Sequence, residues 1–124
     1  MARRRMFSLD IVDTDRFLDL PISTQALYFH LGMKADDDGF VGNPRRIARC
    51  IGASDVDLNL LCERKYIIPF ESGVIVITHF KMQNTFKNDR YKPTIYKKEK
   101  SLLKEGTNKE YLIEDSVQQF FPQN

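Results

Sequence analysis

Asn43-Pro44-Arg45-Arg46-Ile47-Ala48-Arg49-Cys50-Ile51-Gly52-Ala53-Ser54-Asp55-Val56-Asp57-Leu58-Asn59-Leu60-Leu61-Cys62 reads as two helices with a tight turn between them. Asn43 suits an N-cap, and Pro44 suits the first helical position, where a missing N–H costs nothing. Ile47 and Ile51 fall on one side of that helix, and Arg45, Arg46 and Arg49 fall elsewhere. Gly52 stands where a helix ends in a left-handed residue. Ser54 then caps the next helix, Asp57 holds the reciprocal position of a capping box, and Leu58, Leu61 and Cys62 form the inner stripe. Two helices joined by a short glycine-containing turn make a helix-turn-helix.

Working outward, two apolar strands follow at Tyr66–Phe70 and Val74–Thr78, with Glu71-Ser72-Gly73 as the turn. Pro69 places the first of them at an edge, or stands near its end. Upstream, Ser23 is expected to cap a helix running to about Lys34, with a hydrophobic staple between Ile22 and Leu27. Its apolar stripes, Ala26-Phe29-Met33 and Leu27-Leu31, predict a buried helix. A short helix is expected over Thr14–Leu20, ending before Pro21. Phe40-Val41 is a short strand. The expected fold class is therefore α+β and mostly α, a winged helix-turn-helix with a short β-hairpin wing and a basic C-terminal extension. A winged-helix domain is expected over residues 1–80, including an N-terminal arm over 1–20. A basic, aromatic extension spans 81–104, and an acidic tail spans 105–124, with a helix expected over Asn108–Phe121.

A chain of 124 residues suits a single core. The net charge of +2 does not by itself announce a nucleic-acid binder. Its distribution says more: between Lys81 and Lys104 eight basic residues stand against Asp89 and Glu99, a net of +6. No secretory pattern or long apolar run is present, so a cytoplasmic protein without membrane partners is expected, with Cys50 and Cys62 as buried, reduced thiols. Asp36-Asp37-Asp38 lacks the alternate spacing and distal glutamate of a calcium loop, so a solvated turn is expected there. His30 and His79 have no metal-spaced neighbours and read as structural. No phosphate-binding glycine loop and no local nucleophile–base pattern occurs, so neither an enzyme nor a cofactor is expected.

Six segments stand out together: Met1-Ala2-Arg3-Arg4-Arg5-Met6-Phe7-Ser8, Ser23 to Leu31, Ala35-Asp36-Asp37-Asp38-Gly39-Phe40-Val41, Ile51-Gly52-Ala53-Ser54, Ile67 to Gly73, and Asp89-Arg90-Tyr91-Lys92-Pro93-Thr94-Ile95-Tyr96. In that order they resemble the replisome organiser proteins of Firmicutes phages and prophages. Those proteins are similar to the N-terminal domain of the primosome protein DnaD. The resemblance covers roughly residues 1–100. It implies a winged helix, self-association through it, and a part in starting replication at an origin, by binding DNA or by helping to bring helicase-loading proteins there. Longer members carry a further DNA-binding region after the winged helix; this sequence ends at Asn124.

A winged helix usually reads the major groove with its third helix. Here that helix starts Ser54-Asp55-Val56-Asp57, with two carboxylates where phosphates would approach, and the wing turn holds no cation. Phosphate contacts are expected instead from Arg45, Arg46 and Arg49, and from Lys87, Arg90, Lys92, Lys97 and Lys98. Phe86, Tyr91 and Tyr96 alternate with the latter group. They read either as stacking faces for single-stranded DNA or as anchors docking the extension on the domain. Protein contacts are expected from Val56, Leu60, Ile113, Val117, Phe120 and Phe121. The function expected is a non-enzymatic replication-initiation protein. It would self-associate, bind DNA as duplex and in addition as single strand, and recruit the helicase-loading machinery in the bacterial host cytoplasm. The alternatives are a sequence-specific winged-helix transcription regulator, or a protein-interaction module without direct DNA binding.

Overall fold

The computed structural model describes residues 3–85 and 90–113. Two single turns of helix, α1 (Leu9–Val12) and α2 (Asp15–Leu18), are each capped by a hydroxyl. Ser8 Oγ accepts from the Asp10 amide, and Thr14 Oγ1 from the Phe17 amide. The next helix, α3 (Ile22–Lys34), begins earlier than the sequence suggests, with Pro21 at its N-cap and no side-chain cap. The reason is that the Ser23 hydroxyl is used elsewhere, donating to Asp57 Oδ1 at 2.8 Å. Ile22 is 84% exposed, so the expected staple to Leu27 does not form. Only the Leu27-Tyr28-Leu31 side of α3 is buried, and Met33 faces out.

There follow β1 (Phe40–Val41), α4 (Pro44–Cys50), α5 (Asp55–Glu63), β2 (Ile67–Pro69) and β3 (Ile75–Ile77). The strands form one antiparallel sheet in the order β1-β3-β2, with Val76 of β3 opposite both Phe40 and Ile68. Pro69 lies on the edge strand β2, where its missing donor leaves no gap in the ladder. Gly52 ends α4 at φ +80, a conformation that disfavours any side chain. Phe17, Tyr28, Leu58, Leu61, Ile67, Ile75 and Ile77 fill the space between the helices and the sheet. The Phe17 ring meets those of Tyr28 and Tyr66 edge-on, at 5.3 and 5.5 Å.

The capping box at α5 is complete and does more than end a helix. Asp57 Oδ2 accepts from the Ser54 amide at 3.0 Å, while Oδ1 takes the hydroxyls of Ser23 and Thr24 at 2.8 and 2.6 Å. Burial alone would push this carboxyl up; the two hydroxyls and the amide outweigh it and hold the carboxyl below its ordinary value. Asp57 therefore ties the start of α3 to the start of α5. Asp57→Ala should cost about 2 kcal/mol, the upper end of the range for a lost cap, read as a lower urea midpoint with an unchanged slope.

Beyond the sheet lie α6 (Phe80–Gln83), α7 (Lys97–Lys100), β4 (Lys104–Glu105) and β5 (Tyr111–Leu112). The described part of the helix expected from Asn108 is instead a hairpin, with β4 antiparallel to β5. Lys109 turns the chain at φ +64, and the Gly106 and Lys109 amides close the turn on Glu110 and Gly106 carbonyls. That turn delivers Tyr111 to the core, where its amide reaches the Thr78 carbonyl and its hydroxyl the Asp38 carbonyl. The rest of the expected helix, including Val117, Phe120 and Phe121, lies outside the described residues. Cys62 is buried, and burial pushes its thiol up to about 12. Cys50, at the outer end of α4, is exposed, contrary to expectation. The molecule is thus an α+β protein, mostly helical, with small antiparallel sheets. Among the described residues no helix is long and apolar enough to cross a membrane.

Candidate nucleic-acid interface

The turn after α3 is not solvated. Asp37 and Asp38 are 3% and 0% exposed, and every carboxylate of Asp36-Asp37-Asp38 has internal donors. Asp36 Oδ1 accepts from the amides of Asp38 and Phe40, which folds the turn on itself. Its other oxygen takes the Thr94 hydroxyl at 2.5 Å. Asp37 pairs with Arg5 at 3.2 Å and accepts the Lys92 amide at 3.0 Å. Asp38 receives the Tyr91 hydroxyl at 2.7 and 2.8 Å, the Thr94 amide at 2.9 Å and the Lys100 ammonium at 3.2 Å. Burying such charges is costly unless each is matched, and here the matching groups come from distant parts of the chain. Arg5 brings in the N-terminal arm; Tyr91, Lys92, Thr94 and Lys100 bring in the basic extension. Gly39, at φ +94, completes the turn, and a side chain there would also collide with Phe80.

This anchoring decides what the extension presents. Thr94 is buried, and its hydroxyl accepts the Tyr96 amide at 3.1 Å. The Tyr96 ring lies 6.1 Å from that of Phe40, and its hydroxyl sits against the backbone of Gly42, where no side chain would fit. Tyr96 is also the N-cap residue of α7. On the same short helix, Lys100 reaches back to Asp38, and Glu99 accepts the Ser72 hydroxyl at 2.7 Å. Ser72 is in the β2–β3 turn, so α7 lies against the tip of the hairpin. The turn itself has no cation, but Lys97 and Lys98, both exposed, stand on the helix fastened to it.

The remaining expected phosphate contacts divide. Arg46 and Arg49 are exposed on α4, and Arg90 and Lys92 are exposed on the extension. None of these, nor Lys97 or Lys98, forms an ion pair within the described residues. Arg45 is committed differently: its Nε and Nη2 each donate to an Asp55 carboxylate oxygen at 3.1 Å. That pair neutralises one of the two carboxylates at the start of α5, and the other, Asp57, is turned inward. The acidic tip read from the sequence is therefore close to neutral at the surface. Lys87 and Phe86 lie outside the described residues. Tyr91 and Tyr96 are anchors of the extension. Of the expected protein contacts, Val56 is 58% exposed, whereas Leu60 and Ile113 pack against the core.

Sequence reasoning missed Asp36, Asp37 and Asp38 as the support for this surface, and missed Lys34 and Ile95, which border it. No group of three or more His, Cys, Asp or Glu is arranged to hold a metal ion among the described residues. Comparison with family models, curated proteins and solved structures finds no match for this chain.

Proposed function

We propose that this chain is a winged-helix DNA-replication initiation protein. It self-associates, holds DNA mainly by its phosphates, and helps to bring helicase-loading proteins to an origin in a bacterial cytoplasm. The observation that carries the DNA half is the pair Lys97–Lys98, exposed and fastened to the hairpin turn. The winged-helix reading rests on the order α3-β1-α4-α5-β2-β3, with β1 and β2 flanking β3. In that reading α5 is the helix that would enter a groove. Between Asp55 and Glu63 it carries no cation, which favours phosphate contacts from α4 and α7 over base reading by α5.

Self-association is supported by the Ser23–Asp57 hydrogen bond. It joins Ser23 to Asp57, and the residue before each in sequence, Ile22 and Val56, is an exposed aliphatic, at 84% and 58%. Two exposed aliphatic side chains at one junction are the start of an apolar patch. The replication role rests on the resemblance to the replisome organisers. A salt-titrated mobility shift on duplex DNA of arbitrary sequence tests the DNA half, and absence of binding at low salt would end it. In the same assay Arg46→Ala with Arg49→Ala is expected to weaken binding about tenfold. Sedimentation of Ile22→Asp tests the other half: it should run as a smaller species than the parent.

A further inference from the structure

A concavity of about 300 Å³ opens between the C-terminal end of α3 and the segment 92–96. Its apolar lining is Phe40, Pro93, Ile95 and Tyr96, and Lys34 and Lys92 also line it. Both lysines are exposed and form no ion pair within the described residues. Asp36 and Asp37 border the same space, but their oxygens point into the turn, and Arg5 offsets Asp37. What faces outward is therefore apolar and, with Lys34 and Lys92 against the one charge of Asp36, net cationic.

Ile95 is the unusual member. It is 80% exposed, yet it stands between two fixed residues. Thr94 is held by Asp36 and Asp38, and Tyr96 by Thr94, Phe40 and Gly42. An exposed aliphatic side chain on a pinned backbone has little further freedom to lose on binding, which favours its use as a contact. Ile22 is as exposed, but the charged residue nearest to it in sequence is Asp19, and the first lysine of the chain is Lys34. The two sites call for different partners: a protein surface for Ile22, and a flat apolar group carrying negative charge for Ile95.

An unpaired nucleotide has that chemistry, with a base to lie on Ile95, Pro93 and the Tyr96 edge and phosphates to meet Lys34 and Lys92. The volume is at the lower end for small-ligand sites, suited to one nucleotide and not to a duplex. We infer that this concavity binds one unpaired nucleotide of single-stranded DNA. The inference rests on the DNA-binding reading and extends it: the same molecule would hold duplex through α4 and α7 and an opened strand through the 92–96 segment.

The test compares anisotropy of a labelled oligo(dT) and of a labelled duplex of equal length, for the parent chain, Ile95→Asn, Lys34→Ala with Lys92→Ala, and Leu9→Asn. These sites are at the surface, so thermal melting should confirm unchanged folding. Ile95→Asn should weaken oligo(dT) binding about tenfold, the effect of removing the surface under one base, and leave duplex binding within about twofold. The double lysine variant should weaken oligo(dT) binding and lower its salt dependence by about 1.4 in slope. Leu9→Asn, at an aliphatic residue that is 71% exposed and belongs to neither surface, should leave both unchanged. An iododeoxyuridine oligonucleotide should photocrosslink to the peptide containing Tyr96. Unchanged oligo(dT) affinity in Ile95→Asn, with duplex still bound, overturns this inference and leaves the DNA reading standing. Failure of the parent chain to bind either nucleic acid overturns both. Loss of self-association in Ile95→Asn, with oligo(dT) binding intact, would assign the concavity to a protein partner and also overturn the inference.

Discussion

Asp38→Ala is expected to remove about 3–5 kcal/mol of folding stability, the cost of deleting one partner of a buried, paired charge. The carboxylate is fully buried and serves three groups at once: the Tyr91 hydroxyl, the Thr94 amide and the Lys100 ammonium. Alanine leaves the Thr94 amide and the Tyr91 hydroxyl facing a void and takes the counter-charge from Lys100, and the extension is then without its central anchor. Asp38→Asn keeps the shape and one acceptor and should cost less, about 1.5–3 kcal/mol, the range for a hydrogen bond to a charged group. The pH dependence follows from the sign of the shift. Burial pushes the Asp38 carboxyl up, but the Thr94 amide, the Tyr91 hydroxyl and Lys100 together bring it below its ordinary value. A lowered folded-state value means that the stabilisation is complete above the unfolded value of about 3.9, and is lost as pH falls through the folded value. The difference in urea midpoint between the parent and Asp38→Asn should therefore be constant from neutral pH down to about pH 5 and shrink below about pH 4. A difference that persists unchanged into that acid range would mean that the charge on Asp38 contributes nothing.

Local signals in the sequence carried most of the central fold, because each acts within a few residues. Pro44 at the start of α4, Gly52 after it and the Ser54–Asp57 capping box all stand where local chemistry puts them, and Pro69 is on an edge strand. What local reading cannot supply is the partner of a side chain far along the chain. Ser23 looks like a cap until Asp57, which is 34 residues later, takes its hydroxyl. Three consecutive aspartates look solvated because nothing near them in sequence can neutralise them; Thr94, 58 residues from Asp36, is among the groups that satisfy them. Arg45 looks like a phosphate contact until Asp55 is seen beside it. One long-range clue was legible: an acidic triplet and a block of net +6 in the same short chain invite pairing. Charge complementarity does not, however, say which lysines are spent on the protein and which stay exposed. Lys100 belongs to the first kind, and Lys97 and Lys98 to the second.

Lys97→Ala with Lys98→Ala is expected to weaken duplex binding roughly thirtyfold at low salt, on the order of 1 kcal/mol for each phosphate interaction removed. The slope of log K against log salt should become less steep by about 1.8, because two fewer counterions are released. The loss should be alike for unrelated duplex sequences, since phosphates carry no sequence information. Arg45→Ala should change affinity far less, because its charge is already matched by Asp55. Asp38→Asn supplies the sharper contrast. It deletes a negative charge, so long-range electrostatics alone would raise affinity for DNA. If Asp38 fixes α7 through Lys100 and Tyr91, the same variant releases the helix that carries Lys97 and Lys98 from one of its anchors. Those lysines must then be ordered at the moment of binding, which costs about 0.5–1.5 kcal/mol for each side chain immobilised. Affinity should accordingly fall, in the opposite direction to the change in net charge, and it should be measured where the variant is fully folded. Tighter binding by Asp38→Asn would mean that α7 needs no such support, and that the buried acidic turn serves stability alone.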